Sequence, residues 1–258
     1  MQGLNNKVAL VTGGASGIGK AIAMRLMADG ARVFISDTQG ELGRSVAAAA
    51  GCQFLEQDVS DEKQWPQIIG QVEQSGGQLN ILVNNAGILG PTDSNPENTQ
   101  LSVWRKIFAV NVEGVFLGCR TAIPALRRAG GGAIVNIASI TAQMPTSSIV
   151  AYGAGKAAVR QLTQSVAEYC AREKLNIRCN CVHPGFVRTP ALEKGYVDIA
   201  KQIGRSVEDV LEAGRARIPL GDYTLAEDIA AAVAYLASAE ARHVTGAKLI
   251  VDGGILMD

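Results

Sequence analysis

Long apolar runs, C-x-x-C pairs, clustered histidines and blocks of like charge are all missing from this chain. The opening stretch "MQGLNNKVALVTGG" holds only a short apolar run before turn residues, and no later run approaches a membrane span. A secreted or membrane-embedded protein is therefore not expected, and a soluble cytoplasmic one is. The 24 basic and 24 acidic residues cancel and form no basic stripe, which argues against nucleic acid as a partner. Of the five cysteines, Cys52, Cys119, Cys170, Cys179 and Cys181, the last two fall on one face of an expected strand in "RCNCVHPG" and read as core thiols of a reducing compartment. His183 and His243 lie far apart, so neither a metal site nor a histidine-based triad is expected. No linker, repeat or low-complexity tract divides the sequence, and one domain over residues 1–258 is the simplest organisation.

What the chain does have is alternation. Short β-branched runs, "KVALVTG", "ARVFISD", "CQFLEQD", "NILVNNAG", "GAIVNIAS", "IRCNCVHPG" and "AKLIVDGG", are separated by segments with apolar residues at helical spacing, such as "GKAIAMRLMADG". This predicts an α/β fold: a single doubly wound parallel-sheet Rossmann domain of about seven strands with helices on both faces. Ligands of such sheets bind beyond the carboxyl ends of the strands, and the polar clusters "TGGASGIG", "SDT", "QDVS", "NNAG", "ASIT" and "HPGFVRTP" all stand at those ends.

The first cluster reads as strand, glycine-rich turn and helix, whose first N–H groups can hold a pyrophosphate. Its glycines, Gly13, Gly17 and Gly19, follow G-x-x-x-G-x-G rather than the general G-x-G-x-x-G fingerprint. A nucleoside-triphosphate loop competes, since Gly14 to Lys20 satisfies G-x-x-x-x-G-K, but Ala21 stands where that motif needs a hydroxyl for Mg²⁺. Asp37 ends the second strand 18 residues past Gly19, where a carboxylate accepts the adenosine ribose 2'-OH and repels a 2'-phosphate. Neither Ser16 nor Thr38 brings a compensating cation; Arg44 is near enough in sequence to leave the question open, with NAD favoured over NADP.

In "AYGAGKAAV", Tyr152 and Lys156 share one helical face, with Gly153 and Gly155 between them at a helix cost of about 1 kcal/mol each relative to Ala. Taken together, "TGGASGIG", "NNAG", Asn111 in "AVNVEG", Ser139 in "NIAS", "YGAGK" and "HPG" resemble the short-chain dehydrogenase/reductase family, in its order and spacing and over nearly the whole chain. The filling between Tyr152 and Lys156 departs from the family's usual one, although both positions stay small.

The resemblance implies an enzyme that binds NAD and transfers a hydride between the nicotinamide and a secondary alcohol or ketone. It implies a catalytic group of Asn111, Ser139, Tyr152 and Lys156, with Asn111 holding a water that links Lys156 to solvent. Cofactor contacts fall to Gly13, Ser16, Gly17, Ile18, Gly19, Asp37, Asp58, Val59, Asn85, Gly87, Tyr152, Lys156, Pro184, Gly185, Val187 and Thr189. Lys156, beside a cationic oxidised nicotinamide, is expected to move the Tyr152 phenol down toward working pH, and the two glycines to admit the cofactor and a neighbouring strand or helix. Residues 186–222 read as a mobile helical lid, with Ile88, Leu89, Ile140, Met144, Pro145, Ile149 and Phe186 as further apolar walls. That suggests a neutral, hydrophobic or cyclic substrate. Within the family, "LNILVNNAGILGPTD" and the segment from Val115 to Ser139 are most like bacterial 3β/17β-hydroxysteroid dehydrogenases. Reduction of 3-oxoacyl thioesters, oxidation of small diols of the acetoin kind and a catalytically silent NAD-binding regulatory protein are the alternatives. The family also implies a homotetramer, with the tail "GGILMD" packing on a neighbour's lid.

Overall fold

The computed structural model describes residues 3–257. Strands β1 (Val8–Thr12), β2 (Arg32–Asp37), β3 (Gln53–Glu56), β4 (Ile81–Asn84), β5 (Gly132–Ile137), β6 (Ile177–Pro184) and β7 (Lys248–Val251) form one sheet in the order β3-β2-β1-β4-β5-β6-β7. Every pairing is parallel, as the crossover segments between the runs require. Helices α1 (Gly17–Ala28), α2 (Gly40–Ala50), α3 (Gln64–Gly76), α4 (Leu101–Phe108), α5 (Gly114–Arg128), α6 (Val150–Arg172), α7 (Pro190–Ile203), α8 (Val207–Arg215) and α9 (Ala226–Ala237) complete it.

Strand periodicity divides the core in two. Leu10, Phe34, Leu82, Ile134 and Cys179 point to one face and pack under α3, α5 and α6, with Trp65 fully buried there. Their alternate neighbours Val11, Ile35, Val83, Val135 and Val182 point to the other and pack under α1, α2 and α9. Both faces are thus apolar, which is why the strands read as continuous hydrophobic runs. The winding reverses between β1 and β4, and the crevice at their carboxyl ends is where such a sheet takes a ligand.

The helical stretch Leu101–Arg128 is long and apolar enough to cross a membrane by length and composition, which the sequence reading had not expected. Its apolar side, including Leu117, Ala122 and Leu126, is spent on the sheet. Between α4 and α5 a π-turn over Ala109–Glu113 interrupts the helix and carries Asn111; such turns recur at functional sites.

After β6 the chain leaves the sheet, and it is pinned again where Val187 pairs with Thr224. The excursion between them contains α7 and α8, which share a small core of Tyr196, Ala200 and Val210. Tyr223 clasps it from outside, donating its one hydroxyl proton to the Leu211 carbonyl at 2.6 Å and accepting from the Tyr196 hydroxyl at 3.3 Å. Gly214 leaves room for both phenols: a Cβ there would sit 2.3 Å from Tyr223 Oη and 2.7 Å from Tyr196 Oη. Gly214→Ala is therefore expected to lose about 1–3 kcal/mol through overpacking, read as a lowered thermal midpoint and a higher substrate KM.

Candidate active site

One cleft, a cavity of about 630 Å³, runs along the carboxyl ends of the strands. At its β1 end the turn into α1 is shaped by absent side chains. Gly13 takes a left-handed φ of 65°, and a Cβ on Gly19 would lie 2.1 Å from the Gly13 carbonyl oxygen and 2.4 Å from Asn85 Nδ2. Ser16 begins α1 in extended conformation without a side-chain cap bond, so the helix's first N–H groups face the cleft without one. Asn85 braces this turn, donating to the Thr12 and Gly13 carbonyls at 2.9 and 3.1 Å. These features fit a dinucleotide: a cradle that no Cβ could share, and next to it Asp37.

The Asp37 carboxylate accepts from Ala15 N at 3.1 Å and from Gln39 N at 3.1 Å, which holds it at the cleft edge. Arg44, the cation left open by sequence spacing, instead pairs with Glu56 at 3.4 Å in an exposed contact. It does not line the cleft.

The cleft brings together every expected cofactor residue, Gly13, Ser16, Gly17, Ile18, Gly19, Asp37, Asp58, Val59, Asn85, Gly87, Tyr152, Lys156, Pro184, Gly185, Val187 and Thr189, together with Ser139. Asn111 stands behind it. Its carboxamide is fully engaged with Ile88, accepting from the N–H at 2.8 Å and donating to the carbonyl at 2.9 Å. The side chain thus braces the Gly87–Leu89 wall.

Tyr152 and Lys156 lie one turn apart on α6, as their spacing requires. Lys156 is buried, and its ammonium donates to the Ile137 carbonyl at 2.7 Å. Burial lowers its pKa to about 8. The same burial pushes the Tyr152 phenol up, while a hydrogen bond with Ser139 draws it part of the way back. Among the protein's own groups, then, the net direction is upward. The Lys156 nitrogen sits over the ring face, 5.6 Å from its centroid, and the protein's own charges do not offset the desolvation of the phenol.

The two glycines also serve differently from the expectation. A Cβ on Gly153 would meet Thr146 Oγ1 at 2.6 Å, and one on Gly155 would meet Val112 Cγ2 at 3.4 Å. Gly153 admits the loop before α6, whereas a Cβ on Gly155 would make only ordinary contact with the π-turn, and neither lines the cleft. Among the expected apolar walls, Ile88 and Leu89 line it, whereas Ile140, Met144, Pro145, Ile149 and Phe186 do not. Ile140 is buried, and Phe186 lies under the Arg217 guanidinium at 5.3 Å. Arg188, in the excursion after β6, is exposed and faces Glu193 at 3.7 Å.

Lining residues not expected from the sequence include Gln57, Lys106, Val110 and Ala138, while Leu192 comes from the 186–222 segment. Val110 packs against the apolar cluster that contains Val59, and Gly114, four positions on, would touch Val59 Cγ2 at 2.9 Å with an added Cβ.

Comparison with known proteins agrees with this geometry. A family model described as enoyl-(acyl carrier protein) reductase matches residues 13–256. The chain is 36% identical to the NADP-dependent (R)-specific alcohol dehydrogenase of Lentilactobacillus kefiri, covering 97% of each chain. It is 38% identical to the 3-beta-hydroxysteroid dehydrogenase of Comamonas testosteroni, covering 98% of this chain and 97% of that one. A solved structure described as ribose-5-phosphate isomerase from Brucella melitensis 16M superposes with a TM-score of 0.88 at 35% identity, covering 98% of this chain and 93% of that one.

Proposed function

Because the chain belongs to the short-chain dehydrogenase/reductase family of oxidoreductases, we propose that it is an NAD-dependent enzyme interconverting a secondary alcohol and its ketone on a neutral, hydrophobic or cyclic substrate. The observation that carries this reading is the convergence of Ser139, Tyr152 and Lys156 on the cleft that also holds the glycine cradle and Asp37. The nicotinamide, when bound, supplies the hydride or accepts it.

The chain's own residues do the rest. The glycine turn and the start of α1 hold the pyrophosphate through backbone N–H groups. Ser139 donates to the substrate oxygen as negative charge develops there. Tyr152 gives the carbonyl oxygen its proton in reduction and takes the hydroxyl proton in oxidation. With its pKa held up, the phenol is charged with a proton at neutral pH, which suits reduction. Oxidation needs the phenolate, so the oxidative rate is the one expected to rise with pH. Asn111 keeps the Gly87–Leu89 wall against Lys156: a Cβ on Gly87 would be 3.3 Å from Asn111 Oδ1 and 3.6 Å from Lys156 Nζ. Ile88, Leu89, Val110 and Leu192 give the cleft its apolar side. Residues 186–222 act as the lid over it, and the working protein is a soluble cytoplasmic homotetramer, a state light scattering would test.

NAD rather than NADP is supported by the Asp37 carboxylate on the cleft edge and by Arg44 being turned to Glu56. A 2'-phosphate beside an unpaired carboxylate costs several kcal/mol, so kcat/KM is expected to favour NAD by about 100-fold or more, and Asp37→Ala to remove most of that preference. A panel of alcohols and ketones run with both cofactors tests the whole reading. Equal rates with NADP would overturn the cofactor choice, and no turnover with either cofactor would leave the silent regulatory protein.

A further inference from the structure

Behind Ser139 lies a second polar group that the reaction as described does not use. His183, on β6, is completely buried. Its Nε2 is 3.2 Å from Cys181 Sγ, and its Nδ1 is 3.3 Å from Gln143 Nε2. Lys248, on the edge strand β7, donates its ammonium to Gln143 Oε1. Gln143 in turn closes the short 3-10 turn Ile140–Ala142 that Ser139 opens: Gln143 N donates to the Ile140 carbonyl at 2.9 Å, and Thr141 N to Ser139 Oγ at 3.1 Å.

Donor and acceptor chemistry allows this chain of groups only one arrangement. An ammonium can only donate, so Lys248 forces the carbonyl oxygen of Gln143 toward itself. The Gln143 NH₂ then faces His183, whose Nδ1 has to accept. A neutral imidazole with an accepting Nδ1 carries its proton on Nε2. The ring is neutral, because burial, with Lys156, Arg160 and Lys248 around it, lowers its pKa to about 4.

We propose that Lys248 and Gln143 are positioning residues for Ser139: by orienting one amide they fix the tautomer of His183, and the fixed ring in turn holds Gln143, whose main chain closes the turn that aims the Ser139 hydroxyl at the substrate oxygen. The inference rests on the reading of Ser139 as the oxyanion donor. It links a surface lysine on the last strand to the reacting atoms through two side chains, 105 and 40 residues apart in sequence at successive contacts.

The test compares the full-length protein with Lys248→Met, Lys248→Arg and Gln143→Leu. Lys248→Met and Gln143→Leu are expected to lower kcat about 10-fold, the scale of a sub-ångström misplacement, with NADH affinity and thermal midpoint near wild type. Lys248→Arg, which keeps an obligate donor, restores most of the rate. Ring ¹⁵N shifts read the tautomer directly, since the chain has only two histidines; Nε2–H is expected at His183 in the wild type and a mixture of tautomers in Lys248→Met. An active wild type whose Lys248→Met variant matches it in turnover overturns the inference alone. So does a kcat loss that only tracks a loss of NADH affinity or folded protein. A wild type that turns over no alcohol or ketone overturns the parent reading and the inference with it.

Discussion

Tyr152→Phe is expected to lower turnover by at least about 10³-fold in both directions while NADH binds with nearly unchanged affinity. General acid–base catalysis by one positioned group contributes roughly 10²–10⁴-fold, and the only carboxylates lining the cleft among the described residues are Asp37 and Asp58, which belong to the cofactor contacts. The affinity survives because the cradle of Gly13, Ser16 and Gly19 lies in the turn from β1 into α1, a separate part of the fold from α6. The ring itself is kept by the substitution, so the packing beside Lys156 should be retained. Steady-state rates and NADH fluorescence titration measure the two halves separately. A variant that kept a tenth of the wild-type rate would remove Tyr152 from the chemistry.

Lys156 gives the second large effect, and its sign runs against intuition for a catalytic residue. Its pKa falls from the ordinary 10.5 to about 8 on folding because the ammonium is buried. Between those values the unfolded chain binds more protons than the folded one, so stability rises with pH across that window. Below pH 8 the whole penalty is present, about 3 kcal/mol on the scale of 1.36 kcal/mol per pKa unit. Lys156→Met removes it and leaves the Ile137 carbonyl without its donor, a loss of about 1 kcal/mol. The variant is therefore expected to be inactive yet more stable than wild type at pH 7, by about 2 kcal/mol. The gap should close as pH rises from 8 toward 10.5. Urea denaturation of both proteins at pH 7 and pH 10 checks this, and a gap that stays constant or widens with pH would show that the lysine is not desolvated as the structure has it. The site holds a charge at some cost to the fold, as expected where a group is tuned for chemistry.

Much of this protein was decided locally and could be read from the chain alone. Alternation at period two produced the strands, and apolar spacing at period 3.6 produced the helices between them. The glycine turn, Asp37 and the Tyr152–Lys156 pair followed, because each depends on residues within one element or on one strand end. Position at a strand's carboxyl end is itself a local property, and it placed the expected cofactor residues on one cleft. Tertiary structure decided what depends on burial and on partners distant in sequence. It turned Arg44 to Glu56, spent the Asn111 carboxamide on Ile88, and gave Gly153 to Thr146 rather than to the cofactor. It also set the direction of the Tyr152 shift and brought Lys248 to Gln143 and His183. Spacing along a chain fixes which side chains share a face; desolvation and hydrogen-bond choice are fixed only when separate elements close over those side chains and leave each polar group one partner.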